Sequence, residues 1–285
     1  MYIKESELVF NQDGSIYHLN LHPEELANMV ILVGDPGRVP RISRYFDCIE
    51  VVKERREFLT HTGYMGNQRV SVISTGIGVG SIDVVINELD ALVNVDFKTR
   101  KAKEHLTQLQ LVRLGTCGGL QSHMQLHDIV YSSYAFAFDG LLDFYRQTLN
   151  KTEAELLAAV TQHFKGLPVL SSAYVTESTL PLAKLDVKRG VTLTCAGFFG
   201  PQCRSVRAPL MDFDFFECVQ SFHFKDLPVL NFEMETAPIL ALGHLLGHHC
   251  ASLSTVVANR VTHEFSKDTD AAVTQLIECF FEQLA

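Results

Sequence analysis

Short apolar runs bounded by glycine, proline and charge alternate along the chain with longer segments whose apolar positions recur every three or four residues. The runs predict strands at 29–33, 69–74, 111–114, 129–131, 169–175, 191–194, 229–231 and 252–257. The helical period predicts helices at 36–45, 82–93, 101–108, 153–164, 213–222, 235–246 and 269–283. Strand and helix alternate over the whole length, with no internal repeat or low-complexity linker. That pattern predicts one α/β domain over 1–285, a three-layer α/β/α sandwich around a central mixed sheet. The polar stretch 96–104 reads as a surface helix or loop, because strands resume directly after it.

Composition narrows the function. In 285 residues, 47% are hydrophobic, enough for a large core. The formal charge of −9, with no basic block, is a poor match for nucleic acid but leaves room for a small anion held by a few converging arginines. The seven cysteines are odd in number and none has CxxC spacing, which fits reduced thiols in a cytoplasmic protein. No apolar run approaches the ~20 residues of a membrane span, and the N-terminus lacks a signal-peptide pattern.

In α/β sheets ligands gather beyond the carboxyl ends of strands. The segment ILVGDPGRVPR ends an apolar run at Gly34 and turns through Asp35-Pro36-Gly37 straight into Arg38. Such a turn either just ends a strand or holds an anion on its backbone N–H groups. In LQLVRLGTCGG, Arg113 interrupts an apolar strand before a glycine turn; it snorkels, pairs with an acid, or joins Arg38 and Thr116 in one anion pocket. NFEMETA sets Glu233 and Glu235 either side of Met234, where Glu235 caps the next helix or a carboxylate takes a diol. GFFGPQCRSVRAP offers the flat faces of Phe198 and Phe199, and, if extended, points Gln202 and Arg204 the same way. Their donors and acceptor match a ring such as uracil. STGIGVGS is not GxGxxG, and no GxxxxGK[ST] occurs, so dinucleotide and ATP motifs are absent. His244 and His248 have a metal-like spacing but no third ligand, and a polar role at a helix end is the simpler reading.

Together these motifs resemble the type-I nucleoside phosphorylases from about His18 to Arg260, with several motifs in the family's order. The resemblance implies a nucleoside phosphorylase-like fold and phosphate contacts at Gly34, Arg38, Arg113 and Thr116. Arg56, in RREFLT, would reach a neighbouring subunit's phosphate. Glu233, Met234 and Glu235 would hold ribose. His18, in IYHLNL, would reach across a dimer to the ribose 5′-hydroxyl. The base would lie beside Cys117 and Gly118, packed on Phe198 and bound by Gln202 and Arg204. The chain departs from common patterns at Val79-Gly80, at Cys117 where Thr or Ser is frequent, and in a longer stretch at 96–110.

The implied reaction is phosphorolysis of uridine to uracil and ribose 1-phosphate, with Arg113, Glu235, Arg204 and Gln202 as its catalytic residues. Phosphate is the co-substrate and no organic cofactor is implied. The resemblance also allows a structural potassium ion near Glu57, Ile77 and Ser81. It implies a homo-oligomer, a dimer or a trimer of dimers, with shared active sites. Three rivals stay open: a purine nucleoside phosphorylase, a nucleosidase and a non-catalytic nucleoside-binding relative. The family's purine enzymes resemble a pattern with Ser-Asp after the last core strand, whereas this chain has Asn259-Arg260 in TVVANRV.

Overall fold

The computed structural model describes residues 2–182, 185–211 and 214–284. The chain groups into two compact units, Met1–Val112 with Leu246–His249, and Arg113–Leu245 with Cys250–Ala285.

In the first unit β1 (Met29–Val33) is buried at every position, as a run of Met, Val, Ile and Leu in a parallel pair should be. After it come α1 (Arg38–Ser43), β2 (Cys48–Arg55), β3 (Phe58–Met65), β4 (Gln68–Ser74) and α2 (Val79–Asn94). The sheet order is β1-β4-β3-β2, with β1 parallel to β4 and the other pairs antiparallel. The β2–β3 hairpin was not predicted: β2 is mostly exposed and its charges, KER, mask the strand period. The predicted helix at 101–108 is absent. Instead β5 (Val95–Asp96) and β6 (Lys101–Ala102) form a small hairpin, and Asp96 Oδ1 accepts the N–H groups of Lys98 and Thr99 at 2.9 and 2.8 Å, closing the turn.

β7 (Gln110–Gly119) contains the boundary between the units. The predicted glycine turn after Leu114 is strand, so Arg113, Thr116, Cys117 and Gly118 all lie on β7. The second unit continues with β8 (Ile129–Ala137), α3 (Lys151–His163), β9 (Tyr174–Glu177), β10 (Lys188–Thr194), α4 (Phe215–Ser221), β11 (His223–Phe224), β12 (Leu227–Glu233), α5 (Thr236–Leu245), β13 (His249–Asn259), β14 (Glu264–Phe265) and α6 (Thr269–Leu284). Its sheet runs β11-β12-β10-β8-β13-β7 and is mixed: β12, β10 and β8 are parallel, β13 runs against β8. The strand predicted at 169–175 begins as a tight helical turn over Pro168–Ser172, because proline and paired serines favour a turn, and only then becomes β9. The predicted helix at 213–222 appears as α4; Phe213 lies outside the described residues.

α3 starts with a reciprocal cap: Asn150 accepts the N–H of Glu153 and Glu153 accepts that of Asn150, both at 3.0 Å. α5 is buried from Thr236 through Gly243 and packs on β8, β9 and β10, which explains its apolar sequence on all sides. Among the described residues no helix is long and apolar enough to cross a membrane.

Behind β8 and β12 sits an aromatic core. Phe164 is fully buried, with ring centroids of Phe138, Phe136 and Phe222 at 5.2, 5.5 and 5.6 Å. Phe164→Ala is expected to cost about 3–5 kcal/mol, read as a lowered denaturant midpoint. A midpoint within error of wild type would mean that this cluster does not carry the second unit's stability.

Candidate active site

β7 places Arg113 in the interior, 5% exposed. One guanidinium nitrogen, Nη1, donates to Ser254 Oγ at 2.9 Å; the other, Nη2, donates to Glu235 Oε2 at 2.6 Å and lies 3.0 Å from Glu233 Oε2. Of the readings open at Arg113, the acid pair is the one seen. The arginine folds back over its own strand, where a Cβ on Gly115 would sit 2.1 Å from Nη1 and 2.3 Å from Cζ. The glycine two residues on is therefore what makes room for it. Burial disfavours the charged guanidinium, but Glu233 and Glu235 more than offset this and hold its proton above the ordinary arginine range.

Glu233 ends β12 and is saturated. Its Oε1 accepts from Thr194 Oγ1 at 2.6 Å, and Oε2 accepts the N–H groups of Glu235 and Thr236 at 2.8 and 2.9 Å. The helix cap expected of Glu235 thus belongs to Glu233, whose side chain reaches the orphan donors of the first turn. Glu235 is left to Arg113, and Met234 lies half-buried between the two. The cluster sets two carboxyl groups against one guanidinium in a dry place, an arrangement suited to a sugar that turns cationic.

The loop that carries Phe198, Gln202 and Arg204 is not extended. Gly200–Gln202 forms a tight helical turn and Cys203 has φ +55°. Gln202 and Arg204 still converge, because the turn brings Arg204 Nη1 to Gln202 Oε1 and, at 2.8 Å, to the Phe198 carbonyl. The Arg204 guanidinium lies 3.8 Å from the Phe198 ring centroid. Arg260, which sequence reasoning did not assign, donates to the Gln202 carbonyl at 2.9 Å. Its guanidinium sits 5.3 Å from the Phe232 ring and 5.7 Å from that of Phe216. Gly118 permits this approach, since a Cβ there would be 2.9 Å from the Phe232 ring. The signal for Arg260 was available: it stands directly after the last core strand.

Among the described residues neither Arg204 nor Arg260 has a carboxylate partner. Burial, then Arg260, pushes Arg204 down to about 10, and burial lowers Arg260 too; both stay cationic at neutral pH. Phe232 and Glu233 are consecutive on β12, so the uncompensated arginines and the carboxylate cluster flank one strand end. Asn259 is fully occupied: Nδ2 donates to the carbonyls of Gln121 and Met124 at 3.1 and 2.7 Å, and Oδ1 accepts from Val261 and Thr262 at 2.9 and 3.1 Å.

The remaining predicted residues lie in the first unit. Gly34 follows β1, Asp35 closes the turn by accepting the Gly37 N–H at 2.9 Å, and Arg38 opens α1. Arg55 pairs with Phe58, so Arg56 and Glu57 alone turn the β2–β3 hairpin. Arg56 is exposed and has φ +54°, a conformation costing a residue with a Cβ about 1–2 kcal/mol. His18 and Arg56 share one patch: the ring of Tyr17 lies 4.8 Å from that of His18 and 5.9 Å from the Arg56 guanidinium. Glu57 and Ser81 approach Gly76, where a Cβ would be 3.0 Å from Glu57 Cγ and 3.7 Å from Ser81 Oγ, while Ile77 is 75% exposed. His244 pairs with Glu153 at 3.1 Å, whereas His248 lies beyond the end of α5, 3.4 Å from Asp90; the two do not form a metal pair.

The chain belongs to the phosphorylase superfamily, whose family model matches residues 28–284. It is 29% identical over 258 residues to a uridine phosphorylase of Thermococcus kodakarensis, covering 90% of this chain and 82% of that one. It is also 23% identical over 270 residues to a DeoD-type purine nucleoside phosphorylase of Buchnera aphidicola, covering 94% and 98%. A solved nucleoside phosphorylase of Trypanosoma brucei, described as showing uridine phosphorylase activity, matches with a TM-score of 0.85 at 27% identity over 97% of this chain and 99% of that one. The fold is that of the type-I nucleoside phosphorylases, a mixed sheet with flanking helices, and the activity class is nucleoside phosphorolysis.

Two outcomes are expected. Gly115→Ala pushes a Cβ into Arg113 and should lower turnover by about 10²-fold or more, with native circular dichroism; native turnover would show that Arg113 need not sit where it does. Burial raises the Cys117 thiol to about 12 and also holds the Cys195 and Cys250 thiols up, so at pH 8 these stay protonated. Mass spectrometry after iodoacetamide should find exposed Cys48 alkylated and these three intact. Early labelling of Cys117 would contradict its buried placement.

Proposed function

We propose that the chain cleaves pyrimidine nucleosides, uridine first, by attack of phosphate at C1′ to give uracil and ribose 1-phosphate. The observation that carries this reading is the pair Arg204 and Arg260, half-buried and without a carboxylate partner among the described residues. As the C1′–N bond lengthens, the base departs with negative charge on its oxygens and ring nitrogen. Two fixed cations meet that charge without a proton transfer. A purine leaving as the neutral base needs an acid near its ring nitrogen. This chain has Asn259-Arg260 where the purine enzymes resemble Ser-Asp, and the Asn259 amide is spent on the backbone.

On the sugar side, Glu235 orients the ribose hydroxyls, Met234 packs on the ring, and the two carboxyl groups of the cluster favour the oxocarbenium-like transition state. Phosphate roles for Gly34, Arg38, Arg56, Arg113 and Thr116 come from the motif resemblance, as do Cys117 and Gly118 beside the base. The same reading has the chain work in the cytoplasm as a homo-oligomer that lends His18 and Arg56 to a neighbour's site. The half-buried contact of Tyr17 with His18 and with exposed Arg56 supports that part. No organic cofactor takes part.

Uracil release from uridine, measured with and without phosphate and against inosine, separates the readings. The expected result is phosphate-dependent release with uridine preferred over inosine. Equal or faster use of inosine would favour a purine enzyme, and release without phosphate a nucleosidase. Arg204→Ala should cost about 2–4 kcal/mol in kcat/KM for uridine, with little change in the KM for phosphate.

A further inference from the structure

Glu88 is a carboxylate that the charge layout of the site does not use. It lies on α2 among the buried Val85, Ile86, Leu89 and Leu92 and is itself 8% exposed. A carboxylate in such a place is costly unless donors meet it. Among the described residues its hydrogen-bond partners come from the N-terminal segment. The His18 N–H lies 3.0 and 3.1 Å from its two oxygens, and the Leu19 N–H donates to Oε2 at 2.8 Å. The third partner is the His18 ring, with Nδ1 2.7 Å from Oε1.

Docking the segment needs only the two amides and the burial of Ile16, Leu19 and Leu21. The ring contact adds something else. It places a proton on Nδ1, between ring and carboxylate, in either charge state of the histidine, and leaves Nε2 as the atom for a ligand. Tyr17 at 4.8 Å and Phe58 at 6.5 Å meet the ring edge to face, and the side chain stays 31% exposed.

We propose that Glu88 is the positioning residue for His18, setting its tautomer and aim so that Nε2 meets a sugar hydroxyl of the nucleoside. This rests on the shared-site reading, in which His18 serves the ribose 5′-hydroxyl. Glu88→Gln keeps the size and one acceptor oxygen but puts an NH2 donor where the second oxygen stood.

The test is steady-state kinetics of wild type, Glu88→Gln, His18→Ala and the double variant on uridine and 5′-deoxyuridine. Nitrogen NMR of the His18 ring in the intact oligomer accompanies it. Glu88→Gln is expected to raise KM for uridine about tenfold, to leave KM for phosphate and the kinetics on 5′-deoxyuridine unchanged, and to add nothing to His18→Ala. The wild-type ring is expected to carry its proton on Nδ1. Three results overturn the proposal: a uridine defect in His18→Ala that Glu88→Gln lacks, a Glu88→Gln defect equal on both substrates, or a wild-type ring protonated on Nε2 alone. If His18→Ala leaves uridine kinetics unchanged, the ribose role of His18 is wrong, and the proposal falls with it.

Discussion

The site depends on a buried arginine held by two carboxylates. Arg113 could not sit alone on a 5% exposed strand position, and Glu233 and Glu235 meet its guanidinium there at 3.0 and 2.6 Å. Breaking such a pair by removing one partner typically costs about 3–5 kcal/mol, because a lone charge is left in a dry place. The surrounding sequence follows from this constraint. Gly115 clears space for the guanidinium, Ser254 takes its second nitrogen, and Thr194 with the first turn of α5 saturates Glu233. The carboxylates at the end of β12 are thereby fixed before any ligand arrives.

A second charge arrangement borders the first. Arg204 and Arg260 are cations without counter-ions among the described residues, threaded between Phe198, Phe232 and Phe216. One cluster favours a positive centre and the other a negative one. A glycosidic bond that breaks heterolytically produces that pair of charges, positive on sugar and negative on base. Dipoles and charges already in place stabilise them without reorganising at the moment of reaction.

Much of this was legible in the sequence, and the misses have physical causes. Strands such as Met29–Val33 announce themselves as apolar runs, and helices such as α3 and α6 by period. Arg113, Glu233, Glu235, Gln202 and Arg204 stood out because polar residues interrupt apolar runs or follow glycine. The β2–β3 hairpin was missed because its exposed faces carry charge, and the glycines of RLGTCGG read as a turn although they admit side chains to a continuing strand. The cap fell to Glu233 and not to Glu235, since nothing in NFEMETA says which carboxylate curls back onto the helix. Arg260 was missed because an arginine directly after a strand reads as a solvated end, and only the fold brings it to the Gln202 carbonyl. Glu88 was invisible: on an amphipathic helix a glutamate reads as solvated, and only the fold brings His18 to it.

The most direct measurement is single-turnover cleavage of uridine and 5-fluorouridine by wild type and by Arg204→Ala. Fluorine makes the base a better anion while barely changing its shape. If Arg204 acts on charge developing in the leaving base, the loss caused by the substitution should be clearly smaller for 5-fluorouridine than for uridine. An equal loss on both substrates would mean that Arg204 only binds the base, and would contradict the charge layout on which this account rests.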